Sequence, residues 1–204
     1  KALQVRQRLM PKKYLVLKRA IDIVMSAGAI FLLSPILGII SVAIKLESSG
    51  PVLFKQKRVG KNKELFEIWK FRSMRTDTPS DVPTHMLEKP DEYITKIGKI
   101  LRKTSLDELP QIFNILKGEM SIIGPRPALW NQYDLIKERD KYGANDITPG
   151  LTGWAQINGR DELEIPLKAK YDGEYVKKIG FLMDAKCFLG TIGSVLYSEG
   201  VVEG

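Results

Sequence analysis

The sequence contains a single cysteine, Cys187, and a single histidine, His85, among its 204 residues. One cysteine excludes an internal disulfide and a zinc site built from several cysteines, and it suits a reducing compartment. The histidine stands in the polar stretch 78–91, which is typical of a solvated loop residue rather than a catalytic base or metal ligand. Carboxylates, lysines and arginines are therefore the main candidates for chemistry.

Acidic residues are missing altogether from the first 20 residues, which hold seven Lys or Arg. This cluster accounts for most of the formal net charge of +8 and leaves a near-neutral remainder. A basic excess confined to one end predicts a surface-binding arm at residues 1–20 rather than a face that binds a nucleic acid duplex. The chain length is otherwise that of one domain with a substantial core.

Charge is also absent from Ile23–Ile44, a run of 22 residues bounded by Asp22 and Lys45. Such a run can cross a bilayer as one helix, and it lacks the cleavage site of a secretory signal peptide. Ser34 and Pro35 stand at its centre, where proline removes a backbone hydrogen bond and clashes with the carbonyl four residues earlier. Each half is then roughly 14 to 16 Å long, whereas a hydrocarbon core is about 30 Å thick.

Basic residues flank this run on both sides: Lys12, Lys13, Lys18 and Arg19 before it, and Lys45, Lys55, Lys57, Arg58, Lys61 and Lys63 after it. Because Lys and Arg accumulate on the cytoplasmic side, two basic flanks favour both ends facing the cytoplasm. The sequence therefore predicts a re-entrant helix-break-helix hairpin at residues 21–45. Two alternatives stay open: a proline-kinked helix that spans the membrane, and a buried core helix of a soluble protein.

The remaining residues predict mixed structure. Val52–Val59 and Leu65–Met74 are partly β-branched or aromatic and flank a glycine-containing turn, which predicts a β-hairpin. The basic amphipathic stretch YITKIGKILRK predicts a helix at a membrane interface or a plain surface helix. Residues 108–117 predict a helix that stops at Gly118. Leu167–Leu196 has helical spacing, with expected core positions at Tyr171, Tyr175, Ile179, Leu182, Leu189 and Ile192.

These patterns together predict an α+β fold that is mainly helical. We expect a re-entrant membrane hairpin, interfacial amphipathic helices and a small β-hairpin, which form a globular domain on the cytosolic face of a membrane.

Two adjacent carboxylates, Asp107 and Glu108, follow the basic stretch in TSLDELPQ. Ser105 with Glu108 matches the S-x-x-E capping box and Pro110 suits a first helical turn, so a helix start alone could explain the motif. Functionally, a carboxylate at a helix N-terminus near Arg102 is held ionised and remains a nucleophile at neutral pH. Such a group can attack phosphorus while its neighbour holds the Mg²⁺ that neutralises a diphosphate.

Several basic residues are candidates to bind the phosphates of such a substrate. Arg126 lies between two prolines, whose stiff backbone positions it for a bidentate phosphate contact. The further candidates are Arg102, Lys70 and Arg72 in KFRSM, and Arg160 in NGR. A surface charge pair is the plain alternative for each of them.

Five segments match one known family in order. They read KRAIDIVMSAGAIFLLSPI, GPVLFKQKRVG, KFRSM, SLDELPQIFNILKGEMSIIGPRP and PGLTGWAQINGR, and the likeness covers roughly residues 14–200. The chain therefore resembles the small bacterial monotopic phosphoglycosyl transferases. Larger members of that family add a multi-span N-terminal region, and we expect the small form to be the whole catalytic unit.

The resemblance implies an enzyme at the cytoplasmic face of the bacterial inner membrane. It would move a sugar 1-phosphate from a UDP-sugar to a polyprenol phosphate, such as undecaprenyl phosphate, and release UMP. Asp107 would be the nucleophile, Glu108 its Mg²⁺-binding neighbour and Arg126 a phosphate clamp. Asp184, in FLMD, is similar to an acidic position near the family's active site, and Ser34-Pro35 to the break in its membrane helix. Residues 46–204 would form the catalytic domain at the membrane interface.

Two other functions remain open on the sequence. A membrane-anchored nucleic-acid or signalling module could use residues 1–20 for an anionic partner, although the near-neutral remainder and the lack of a recognisable recognition helix argue against it. A glycosyltransferase that releases UDP is the rival enzyme. We expect the partners to be the UDP-sugar, the polyprenol phosphate and the lipid bilayer, without nucleic acid, and a homo-oligomer is left open.

Overall fold

The computed structural model of the chain describes residues 12–78, 90–159 and 163–197. Within these ranges the fold is mainly helical with small sheets, and one long apolar helix lies near the N-terminus. Part of the predicted arm at residues 1–20 lies outside the described residues, as do His85 and Arg160.

The helices of the described ranges are α1 (Lys12–Glu47), α2 (Pro90–Tyr93), α3 (Lys96–Lys103), α4 (Gln111–Lys117), α5 (Tyr133–Asp140), α6 (Trp154–Ile157), α7 (Ile165–Lys178) and α8 (Phe181–Tyr197). The strands there are β1 (Leu53–Val59), β2 (Leu65–Phe71), β3 (Ser121–Ile123) and β4 (Gly150–Thr152). Short 3₁₀ turns lie at Lys61–Lys63, Leu106–Glu108 and Ala144–Asp146.

Helix α1 continues through Ser34 and Pro35, so the predicted break is not an interruption of the helix. Pro35 has no N–H to donate to the carbonyl of Phe31. The Ser34 hydroxyl donates to that carbonyl instead, at 2.9 Å. Because this bond satisfies the group that proline leaves unpaired, helical structure persists across the position.

The two halves of α1 pack against the rest of the protein, whereas its middle does not. Phe31 and Leu32, near the centre, are 80% and 74% exposed. The described residues therefore do not bury α1 as a core helix. Within the described residues, α1 is also the one helix whose length and apolar composition would allow it to cross a membrane. Its buried residues are Lys18, Asp22, Ser26, Ile40 and Ile44.

The predicted β-hairpin is confirmed, with β1 and β2 antiparallel and Leu53 opposite Phe71. Side chains alternate between its two faces, so Ile68 is buried while the neighbouring Glu67 is exposed. Strands β3 and β4 form a second, parallel pair. This pair was not predicted, because strands of three residues are too short for an alternating pattern to be read.

The apolar face of α3 packs against protein. Leu101 is buried and Ile97 partly buried in a cluster with Ile44 and Phe71. Of the two predicted alternatives, this packing therefore favours a plain surface helix of the domain over a helix at a membrane interface. Ile100, which is 61% exposed, is an apolar residue that this packing leaves uncovered.

Helix α8 exposes apolar residues that its spacing predicted to lie in the core. Leu182, Leu189 and Ile192 are 85%, 66% and 45% exposed, and that part of the prediction is wrong. The buried face of α8 is formed instead by residues such as Met183 and Cys187. Periodicity locates an apolar face without showing whether protein covers it.

Candidate active site

The carboxylate pair lies in the 3₁₀ turn Leu106–Glu108, and two residues separate this turn from the first residue of α4. Ser105 has a left-handed backbone conformation, with φ at 56°, and forms no side-chain capping hydrogen bond. The capping-box prediction is therefore wrong, and Pro110 is the residue at the N-cap of α4. The two carboxylates are therefore positioned by the tight connection between α3 and α4. They do not lie in the first turn of an α-helix.

Glu108 is held by two basic side chains from distant parts of the chain. Its Oε1 atom accepts hydrogen bonds from Lys70 Nζ at 2.7 Å and from Arg126 Nη2 at 2.5 Å. Burial raises the pKa of Glu108, but the positive charges of Arg126 and Lys70 outweigh burial and hold the pKa well below its ordinary value. Glu108 is therefore ionised at neutral pH.

Asp107 lies beside the same lysine, with its Oδ2 atom 3.8 Å from Lys70 Nζ. Burial raises the pKa of Asp107 above its ordinary value, and the charge of Glu108 adds to this effect. The cations Lys70, Arg102 and Arg126 offset only part of the increase. The sequence-based expectation that a helix N-terminus and basic neighbours hold Asp107 ionised therefore omitted the opposing effect of burial.

Separate elements bring these groups together. Strand β2 supplies Lys70, helix α3 supplies Arg102, and the loop that follows β3 supplies Arg126. Alternation along β2 places Lys70 on the same face as the buried Ile68, so its ammonium group is directed into the protein toward Glu108. The arrangement concentrates positive charge around two carboxylates, which suits an anionic substrate.

The buried residue Asn114 fixes the strand that carries Lys70. Its Oδ1 atom accepts from the backbone N–H of Trp69 at 3.0 Å, and its Nδ2 atom donates to the carbonyl of Glu67 at 2.8 Å. The sequence pattern did not single out Asn114. The available signal was an amide within the otherwise apolar centre of QIFNILK, where a buried polar group requires defined partners.

Arg72 does not join the carboxylate pair. Its buried guanidinium donates to the carbonyls of Ser48 at 2.8 Å and Ser49 at 2.5 Å, just beyond the end of α1. The structure thus places this predicted phosphate-binding residue in a link between α1 and the end of β2.

Asp184 also has other partners. Its Oδ2 atom accepts from Lys18 Nζ at 2.5 Å and from the Tyr14 hydroxyl at 2.7 Å. Its Oδ1 atom accepts from the Tyr175 hydroxyl at 2.6 Å. This buried cluster connects α1 with α7 and α8, and it shares none of these partners with Asp107 or Glu108.

The carboxylate pair has the donor chemistry for Mg²⁺. Within the described residues, no group of three or more His, Cys, Asp or Glu side chains is arranged to hold a metal ion. Mg²⁺ needs fewer, because it is often bound through one or two carboxylates together with substrate phosphates. Asp107 and Glu108 meet that requirement. Glu108 Oε2, whose bond from Arg126 Nη1 is 3.3 Å long, is the more weakly held oxygen of that side chain.

The chain belongs to the bacterial sugar transferase family, whose family model matches residues 13–198. It is 42% identical to the exopolysaccharide production protein PSS of Rhizobium leguminosarum bv. phaseoli, over 89% of this chain and 96% of that protein. It is also 42% identical to the UDP-glucose:undecaprenyl-phosphate glucose-1-phosphate transferase of Escherichia coli (strain K12), over 86% of this chain.

A further relative is the UDP-N-acetylgalactosamine-undecaprenyl-phosphate N-acetylgalactosaminephosphotransferase of Aeromonas hydrophila, which is 39% identical over 92% of this chain. The chain spans only 39% of the length of the Escherichia coli protein and 45% of the Aeromonas protein. The carboxylate pair and its cations all lie within the residues that the family model matches.

Proposed function

We propose that this protein transfers a sugar 1-phosphate from a UDP-sugar to a polyprenol phosphate such as undecaprenyl phosphate, and that UMP is released. The names of the Escherichia coli and Aeromonas relatives support this reaction class. The observation that carries the proposal is the half-buried pair Asp107 and Glu108, which Lys70 and Arg126 face.

Asp107 acts as the nucleophile in this proposal. One of its carboxylate oxygens forms a bond to the β-phosphorus of the UDP-sugar, and the bond from that phosphorus to the bridging oxygen breaks, so UMP leaves with that oxygen. An oxygen of the polyprenol phosphate then attacks the same phosphorus, and the bond to Asp107 breaks. The products are a polyprenol diphosphate sugar and the regenerated carboxylate.

The surrounding cations stabilise charge on the transferred phosphate. Lys70 and Arg126 already converge on Glu108, so positive charge is in place beside Asp107 before substrate arrives. We also propose that Glu108, together with Asp107, holds Mg²⁺, which neutralises diphosphate charge when bound.

The first test replaces the nucleophile with its isosteric amide, Asp107→Asn. We expect UMP release to disappear, because an amide oxygen cannot form the acyl phosphate. Asp134→Asn, an exposed change on α5, is the matched control and should retain activity. A donor radiolabelled in its β-phosphate should leave label on the wild-type protein when acceptor is omitted. Turnover by Asp107→Asn, or release of UDP in place of UMP, contradicts the mechanism.

We further propose that α1 enters the membrane from the cytoplasmic face as a bent, re-entrant segment. Lys18 near its beginning pairs with Asp184, and Glu47 at its end accepts from the backbone N–H of Ile97. Both ends thus return to the rest of the chain, while Phe31 in the middle stands exposed. A straight helix lying along the domain would instead press its middle against the protein.

Helix α8 supports attachment at the membrane surface. Phe181, Leu182 and Leu189 are 65%, 85% and 66% exposed, and Lys177 and Lys178 precede them at the end of α7. Exposed apolar side chains next to basic residues suit a helix that lies in the headgroup region. This surface and α1 together favour a monotopic protein at the inner membrane.

A further inference from the structure

An open surface cavity of about 370 Å³ lies on the outer face of the β-hairpin. Its lining includes Lys55, Lys57, Glu67, Trp69, Lys117 and Glu119. The ammonium groups of Lys117 and Lys55 lie 4.0 and 5.4 Å from the centroid of the Trp69 ring. The cavity therefore combines an aromatic surface with several cations.

This cavity is separate from the carboxylate pair. Trp69 and Lys70 are consecutive residues of β2, and consecutive residues of a strand face opposite sides of the sheet. Lys70 reaches Glu108 on the inner side, whereas Trp69 lines the cavity on the outer side. The reaction proposed above makes no use of the cavity.

The lining is held on a rigid frame. Asn114, which is fully buried, bonds to the backbone of β2 on both sides of Ile68. It also donates to Glu119 Oε2 at 2.7 Å. One buried amide therefore fixes the strand that carries Trp69 relative to the segment that follows α4.

The cavity lies close to the point where the uncharged part of α1 begins. Arg19 of α1 donates to the carbonyls of Ile115 at 2.6 Å and Leu116 at 2.7 Å, and the next residue, Lys117, lines the cavity. Arg19 precedes Ile23, the first residue of the uncharged run, by about 6 Å of helix. If α1 enters lipid as proposed, the cavity lies near the headgroups, where Trp and Lys are common.

Three lysines and two glutamates give the lining a net positive charge. Lys55 is paired with Glu67 at 3.2 Å, whereas Glu119 accepts from the neutral amide of Asn114 and keeps its own negative charge. In the part of the chain that the structure describes, neither Lys57 nor Lys117 belongs to an ion pair. Two ammonium groups beside an indole suit a phosphate group that carries one negative charge.

We propose that this cavity binds the phosphate of an anionic phospholipid headgroup from the same leaflet that α1 enters. The inference rests on the proposed membrane function, and it adds a lipid site distinct from the site of phosphate transfer. The bound lipid would fix the orientation of the β-hairpin, and therefore of β2, relative to the membrane surface.

The test measures lipid binding to the full chain in detergent, without UDP-sugar, by native mass spectrometry. Phosphatidylglycerol is titrated against wild type, against the double variant Lys57→Gln and Lys117→Gln, and against the control Lys61→Gln with Lys137→Gln. Both double variants remove two exposed charges, but the control residues lie outside the cavity. We expect about tenfold weaker phosphatidylglycerol binding in the cavity variant and wild-type binding in the control.

Two further arms identify the source of the phosphate. Phosphatidylcholine should bind more weakly than phosphatidylglycerol, and equimolar glycerol 3-phosphate should not displace the lipid. Equal loss in both double variants, no loss in either, or displacement by glycerol 3-phosphate overturns the proposal. UMP release is measured separately, so loss of the lipid site and failure of the proposed reaction can be distinguished.

Discussion

At the scale of residues, two neighbouring carboxylates have opposite electrostatic environments. Arg126 and Lys70 bond directly to Glu108, and its pKa is lowered despite burial. The pKa of Asp107 is raised, because burial outweighs the more distant cations. Glu108 therefore suits binding of a cation throughout the neutral range, and Asp107 keeps the higher basicity that favours a nucleophile.

Replacing Lys70 with Met should move the acidic limb of the pH profile to higher pH. In the proposed reaction Asp107 must be deprotonated to attack, so we expect activity to fall as pH drops through its pKa. Lys70 lowers that pKa, and its removal raises it further. We expect UMP release to fall by about 10²-fold at its optimum as well, the usual cost of removing a charge-stabilising donor.

The measurement for this variant is kcat/KM for UMP release across the acidic range. Lys137→Met, an exposed change on α5, is the control and should leave the profile unchanged. An acidic limb at the same pH in wild type and Lys70→Met would show that Lys70 does not influence the nucleophile.

Residue type and motif were sufficient to select most of the charged groups at the site. Asp107, Glu108, Lys70 and Arg126 were all predicted, and the structure brings them together. Arg72 comes from the same motif as Lys70 but binds carbonyls at the end of α1. Those carbonyls come from a distant part of the chain. The residues around Arg72 in the sequence therefore could not predict which groups it binds.

At the scale of elements, local chemistry predicted a helix end and a hairpin, although it failed at the capping box of Ser105. The stop of α4 at Gly118 is confirmed, with φ at 96°, a left-handed conformation that glycine adopts readily. The β-hairpin also follows from its own turn and pattern. The parallel pairing of Ser121 with Gly150 depends on long-range contacts, and the sequence did not reveal it.

Replacing Pro35 with Ala should favour a straight α1. Alanine restores the N–H that can bond to the carbonyl of Phe31, and it removes a proline that costs a helix interior about 3 kcal/mol. We expect a larger fraction of chains to span the membrane. The measure is labelling of Lys12→Cys from the periplasmic side, and Pro51→Ala, outside the helix, is the control. Unchanged labelling would show that Pro35 does not determine whether α1 spans the membrane.

At the scale of the whole molecule, one apolar helix and the domain that both its ends contact form a single unit. Asp184 connects its first half to α7 and α8, and Arg72 connects its end to β2. Hydropathy alone located the helix but could not distinguish lipid from protein as its surroundings. The exposure of Phe31 and the burial of Ile44 show which part of the helix the protein covers and which part it leaves open.

The topology can be tested with two single cysteines, Lys12→Cys and Lys61→Cys, on opposite sides of the uncharged run. We expect an impermeant thiol reagent to label neither in intact cells and both after lysis, because a re-entrant segment leaves both ends in the cytoplasm. Cys187 is completely buried and should contribute little background. Labelling of one position alone in intact cells would indicate a helix that spans the membrane.

If α1 enters the membrane as proposed, the contact between Arg72 and the residues just after α1 couples the insertion depth of that helix to the position of Lys70 relative to the membrane surface. Lys70 stands only two residues before Arg72, so a short stretch of chain links α1 to the proposed site of phosphate transfer. A thicker or thinner bilayer that shifts the helix would also move Lys70 relative to a lipid-borne phosphate. For the proposed reaction, we therefore expect turnover to depend on the acyl-chain length of the host membrane at constant substrate concentration.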